Sequence, residues 1–176
     1  MPASQTFTVP RFVTFGAEHM VKVEACLDAF VRDTGVLITL LTDATGQLIT
    51  LHGRIDKKKA EALAALIAGS HAASAEFIKL LGKKAPFVNL FHEADDYSIY
   101  STNVADELIL SVAFGTEVKI GIVRAFIEKA RTALSEIVHE ASLDKSDGDQ
   151  VEIRLVDEDF DHFLDKELEE LTDHKK

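Results

Sequence analysis

The chain of 176 residues has no tryptophan, one cysteine, three prolines and no apolar run long enough to span a bilayer. Each scarcity removes a class. Cys26 has no second thiol, so neither an internal disulfide nor a cysteine-based zinc site is available. Apolar stretches such as "LILSVAF" stop far short of the roughly 18 residues of a membrane span, and "MPASQTFTVPRF" has neither the basic nor the apolar part of a secretory signal. A cytoplasmic protein is expected.

Positive charge is also scarce, with 19 Lys/Arg against 30 Asp/Glu and a net charge of −11. Residues 144–176 alone hold 13 acidic against 5 basic side chains, so the tail carries −8 and the body only −3. This balance argues against phosphate-backbone binding, which relies on clustered Lys and Arg. The basic cluster that does occur is Lys57, Lys58 and Lys59.

Catalytic signatures are missing too. There is no GxxxxGK[ST], GxSxG, HExxH or CxxC. The seven histidines are scattered without ligand spacing, and "HEADD" at 92–96 reads as a solvated turn rather than a metal site. Neither a cofactor nor an active site of its own is expected.

What is present is periodic. An N-terminal arm of about sixteen residues precedes "AEHMVKVEACLDAFVRDTG", which places Met20, Val23, Leu27, Phe30 and Val31 at helical spacing and ends at Gly35. "VLITLLTD" and "QLITLHG", joined through "ATG", read as a hairpin. Asp56 can cap a helix from 57 to about 81, ending at Gly82. "FVNLFHE", "YSIYSTN" and "ELILSVAF" follow with gaps too short for crossover helices, so the sheet must be mainly antiparallel. A last helix at 117–141 aligns Ile120, Val123, Ile127, Ala130, Leu134 and Ile137.

The expected architecture is an α/β sandwich: one five-stranded sheet with helices on both faces, in the order helix, two strands, helix, three strands, helix. Three parts are expected: the arm at 1–16, the domain at 17–142, and an acidic linker with an amphipathic segment at 143–176. In that last segment Phe160, Phe163, Leu164 and Leu171 share one side. It reads either as a weakly packed tail or as a docking segment that folds on a partner.

The middle helix, "AEALAALIAGSHAAS" at 60–74, lacks the charged side of an ordinary surface helix. At about 100° per residue, Leu63, Leu66, Ile67, Phe77, Ile78 and Leu81 form one side, expected to face the sheet. Ala65, Ala68 and Ala72 lie opposite, flanked by Ala64, Gly69, Ala75 and Glu76. Gly69 costs helix stability relative to alanine, about 0.5–1 kcal/mol, and small side chains permit close approach, so a docked partner is expected on that surface. By this placement Ala68→Arg or Ala72→Arg should abolish association without unfolding the protein. "FVNLFHE" is a candidate edge strand, which two-fold pairing would cover; the alternative is an internal strand.

"TDATGQLIT", "LAALIAGSHAASAEFIKLLG", "NLFHEADDYSIY" and "GIVRAFIEKA" together resemble the Roadblock (dynein light chain) family, over about residues 17–141. The resemblance implies a Roadblock-type sandwich and a homodimer whose sheets join through Phe87, Val88, Asn89, Leu90 and Phe91. It also implies a Ras-like small GTPase as partner, engaged by two regulator chains. In such regulators hydrolysis is accelerated by rearranging the GTPase's own catalytic residues. Ala68 and Ala72 are carried onto the contact face, with Ala65 and Gly69 beside them, while Glu76 departs from the family's small residue. Phe160, Phe163 and Leu164 become candidate anchors near the nucleotide. Two other readings stand beside this one: a dimeric scaffold that binds without stimulating, and a sensor of the PAS or GAF kind holding a small ligand between sheet and helix.

Overall fold

The computed structural model describes residues 13–83 and 89–144. The first helix, α1 (Ala17–Thr34), buries Val23, Leu27 and Phe30, three- and four-residue steps along one face. It stops at Gly35, whose φ of 72° is the left-handed conformation that turns the chain out of a helix, and whose N–H donates to the Val31 carbonyl. The hairpin β1 (Ile38–Asp43) and β2 (Leu48–Gly53) follows. Its turn is built around Asp43: Oδ1 accepts from the Thr45 N–H at 2.8 Å and from the Gln47 N–H at 2.9 Å.

Helix α2 (Lys57–Leu80) begins at Asp56, whose carboxylate accepts from the Lys59 N–H. Strands β3 (Asn89–Glu93), β4 (Tyr97–Val104) and β5 (Leu108–Gly115) form a meander, and α3 (Ile120–Asp144) closes the domain. The sheet order is β2-β1-β5-β4-β3, and every neighbouring pair is antiparallel. The fold is therefore the expected five-stranded sandwich, in the expected element order.

Alternation along the strands sends side chains to two unequal cores. Leu41, Tyr100, Leu110 and Val112 face α1 and α3, whose Leu27, Ile127 and Leu134 complete the larger core. Leu40 and Ile109 face α2, where the core is small: Ala60, Ile67 and Ala68. Under α2 the sheet also presents the buried side chains of Ser101 and Ser111, paired across β4 and β5. Short side chains on both surfaces let helix and sheet lie close together.

That closeness corrects the expected rotation of α2. Ala64 and Ala68, 0% and 5% exposed, point into the sheet. Leu66 and Phe77, expected inside, are 70% and 58% exposed, and Leu81 just beyond the helix is exposed as well. Ile67 is buried as expected, and Leu63 and Ile78 are half-buried. The cause is the β1–β2 turn. Gly46, at φ 93°, approaches so closely that a Cβ there would lie 2.8 Å from Ala65 Cα and 3.1 Å from Ala68 Cβ. A leucine facing that turn would push the helix off the hairpin; alanine fits. Close approach is indeed what the small residues permit, but for Ala64 and Ala68 the approaching backbone is the protein's own.

Candidate docking faces on helix α2 and strand β3

With Ala60, Ala64 and Ile67 inward, about 100° per residue divides the outer surface of α2 at Gly69. One flank carries Ala65, Ala72 and Glu76, all exposed, and leans toward the β1–β2 turn, since Gly46 lies against Ala65. The other carries Leu66, Ala73, Phe77 and Leu80, and leans toward β3 and β4.

The first flank is bare. Nothing lies within 4 Å of a Cβ added at Gly69, so its backbone is open to an approaching molecule. Glu76 sits at the far end with its carboxylate 2.6 Å from Lys79 Nζ. Of the residues expected on a contact face, Ala65, Gly69, Ala72 and Glu76 are thus brought together outside, and Ala68 is not.

The second flank is bulky, and the reading of the sequence missed it. Leu66 lines an open groove of about 240 Å³ with Leu63, Ile67, His92 and Tyr97. Phe77 stands about three helical turns further along, and the 85%-exposed Leu80 about four.

The groove runs on to the sheet edge. Strand β3 pairs only with β4, so among the described residues its other side is open. Asn89 and Phe91 are exposed and Leu90 is half-buried. The Phe91 ring centroid lies 6.3 Å from that of Tyr100, over which Arg124 Cζ sits at 5.9 Å. Burial pushes the Tyr100 phenol up, with Arg124 opposing it. The edge expected from "FVNLFHE" is therefore present at Asn89, Leu90 and Phe91, while Phe87 and Val88 lie outside the described residues, as do Phe160, Phe163 and Leu164.

Between the two faces, His71 joins α2 to the sheet: its Nε2 lies 2.8 Å from Oγ of the fully buried Ser101. Burial holds the imidazole below its ordinary value, and His92 adds to the effect. No cluster of three or more His, Cys, Asp or Glu among the described residues is placed to hold a metal. Nor is any described helix long and apolar enough to cross a membrane.

Residues 22–114, more than half of the chain, match the Roadblock/LC7 domain. The chain belongs to the Roadblock/LC7 family. Among solved structures, this Roadblock chain is similar to Myxococcus xanthus MglB, with 33% identity over 74% of this chain and 96% of that one, and a TM-score of 0.67. The gliding protein MglB of Thermus thermophilus is 26% identical over 76% of this chain and 99% of its own, again at 0.67. A third structure, described as MglB with a tetrameric arrangement, is 28% identical over 76% and 99%, at 0.67. No curated protein matches the chain.

Proposed function

We propose that this Roadblock protein is a homodimeric, MglB-like regulator of a Ras-like small GTPase, docking the GTPase on the bare flank of α2. The observation that carries the reading is the row Ala65, Gly69 and Ala72: exposed and uncharged, on the helix of a chain 33% identical to an MglB. Ala65 is held small by its own hairpin, but a side chain at Gly69 would meet nothing of its own protomer, and an exposed glycine in mid-helix costs stability there. A partner backbone or helix laid against it recovers that loss by contact at short range.

In this reading two copies join along β3, burying the open edge at Asn89, Leu90 and Phe91, and one MglA-like GTPase is engaged by both. The regulator brings no cofactor and no catalytic side chain; it holds the GTPase's own water-positioning and phosphate-binding groups in their productive arrangement. Glu76 at the end of the bare row sets which partner surface is tolerated there, and Phe160, Phe163 and Leu164 supply a second contact near the nucleotide. Cell polarity and gliding motility are the processes such a pair would serve, in the cytoplasm.

The test is phosphate release from an MglA-like GTPase of the same organism, with and without this protein. Stimulated hydrolysis that is lost in Gly69→Arg and Ala72→Arg, both still folded, supports the reading. Binding without stimulation selects the dimeric scaffold. No binding, together with a copurified small molecule, selects the sensor.

A further inference from the structure

We propose that residues 151–156, "VEIRLV", add a sixth strand to the free side of β2, parallel to it, and that Asp157, Glu158, Asp159 and Asp161 then meet the basic start of α2. The occupant of the edge is the chain's own segment, and this strand does not depend on the GTPase reading above.

The sheet order puts β2 at the end opposite β3, paired with β1 alone. Among the described residues no strand lies beside its outer backbone groups. Such edges are normally guarded by charge, proline or a bulge. "LITLHG" carries no Lys, Glu or Pro, and its irregularity, where the register shifts between Leu41 and Thr42, lies at the turn end and leaves residues 50–53 in regular pairing. Residues 151–156 have the pattern that an open edge accepts, since Val151, Ile153 and Leu155 alternate with Glu152 and Arg154.

Reach fixes the direction of the added strand. Helix α3 ends at Asp144, whose carboxylate lies 3.3 Å from His19 Nε2 at the start of α1. Strand β2 runs alongside α1 in the same sense: Thr50 Oγ1 donates to Glu24 at 2.6 Å, and His52 Nδ1 lies 2.8 Å from Asp28. Asp144 is therefore at the Leu48 end of β2. Residues 145–150 extend over at most about 20 Å. That length passes one helix diameter of about 10–12 Å and enters at the Leu48 end, but cannot run on to Gly53 and turn back. Strand β5 is parallel to β2 as well, because each is antiparallel to β1. Thus β5, α3 and the added strand form a βαβ unit that travels toward the β2 edge, with α3 on the face opposite α2. The unit β2–α2–β3 travels the other way on the other face, so the two connections share one hand, as the nearly universal right-handed rule requires.

Both sides of the strand then find complements. With Leu155 beside Leu51, its apolar side joins Leu51 and Ile55 at the margin of the small core under α2. Arg154, on the other side, reaches Glu24 and Asp28, two partly exposed carboxylates that share the one imidazole of His52. Just past the strand the chain meets Arg54, Lys57, Lys58 and Lys59, all exposed. Lys57 Nζ lies 3.9 Å from Glu61, and no carboxylate among the described residues pairs with the other three cations. Lysines oppose the dipole at a helix N-terminus, and the four acidic side chains offset both the charge and that opposition.

Amide hydrogen exchange on the wild-type full chain reads the strand directly. Residues 151–156 should exchange at least about tenfold more slowly than an unstructured peptide. In Ile153→Pro, which removes a donor and breaks the ladder, β2 should exchange about tenfold faster while α3 is unchanged. Peptide-rate exchange at 151–156 in the wild type overturns the inference. Place and register are read by Thr50→Cys with Arg154→Cys in a Cys26→Ser background, since side-by-side positions of neighbouring strands are within disulfide reach. Mild oxidation should link the two within one chain. Protection of 151–156 without that link overturns the β2 edge as its place, and a link between two chains assigns the edge to a second copy and overturns the occupant.

Discussion

The two flanks of α2 lie less than half a turn apart around the helix and differ in everything that matters for contact. The flank toward the β1–β2 turn is small and bare because Gly46 lies against its inner margin, at Ala65 and Ala68. The flank toward β3 is large and apolar although it is exposed. Side-chain size on this helix therefore reports distance to the nearest backbone rather than depth of burial. The comparison teaches that a helix without a polar side can hold its own sheet on one side and still present two chemically distinct outer flanks.

Substitutions along the inner margin should separate structure from docking most sharply. Ala68→Arg would force a guanidinium into a fully packed contact with the hairpin, with an expected destabilisation of at least about 3 kcal/mol; Ala72→Arg, one turn on and exposed, should leave the melting temperature within a degree or two. Equal melting temperatures for the two variants would mean that the rotation of the helix assigned here is wrong. A similar contrast is expected between adjacent residues. Ile67→Ala should lower stability by about 2–4 kcal/mol in denaturant titrations, whereas Leu66→Ala should leave protomer stability nearly unchanged.

The glycines differ in the same way. Gly46→Ala combines a left-handed backbone with a collision against Ala65 Cα and should cost about 1–3 kcal/mol. His71 should add a milder pH dependence. Its folded-state imidazole is held below the ordinary value of 6.5, chiefly by burial, so the unfolded chain takes up a proton first. Stability contributed by the neutral form is complete above about pH 6.5 and is lost as pH falls from there through the lower folded-state value. Thermal melts of His71→Gln should lose that part of the slope; an unchanged slope would remove His71 from the account. The smallest effect is expected at Gly69→Ala, which should stabilise the protomer by about 0.5–1 kcal/mol, because the added methyl meets nothing.

Local signals made most of the fold readable from the sequence. Gly35 ends α1 in the left-handed conformation that glycine favours, Asp56 caps α2, and the short links around β3, β4 and β5 leave no room for crossovers, which fixes the antiparallel sheet. The exposure of Ala65, Gly69 and Ala72 was legible as well, since no charge or bulk interrupts that side of α2 between Glu61 and Glu76.

What was not legible is which side of α2 faces inward. Leu63 and Ile67 do touch the sheet, but Leu66 and Phe77 have the same chemistry and do not. The inner centre is set by Gly46, nineteen residues before Ala65 in the chain, through a contact distance that no periodicity encodes. One trace of the bulky flank was present: Leu66, Ala73, Phe77 and Leu80 follow at steps of seven, four and three, the spacing of one side of a helix.

The most direct measurement is thiol labelling at single cysteines placed at Ala68 and at Ala72 in a Cys26→Ser background, with and without a GTP-loaded MglA-like GTPase, the partner proposed above. Position 72 should react at nearly the rate of a free peptide in the isolated protein and become protected when the GTPase is added, while position 68 reacts slowly throughout. Rapid labelling at 68 would contradict the orientation of α2, and a position 72 indifferent to an MglA-like GTPase whose hydrolysis the protein is found to stimulate would contradict the docking face proposed on it.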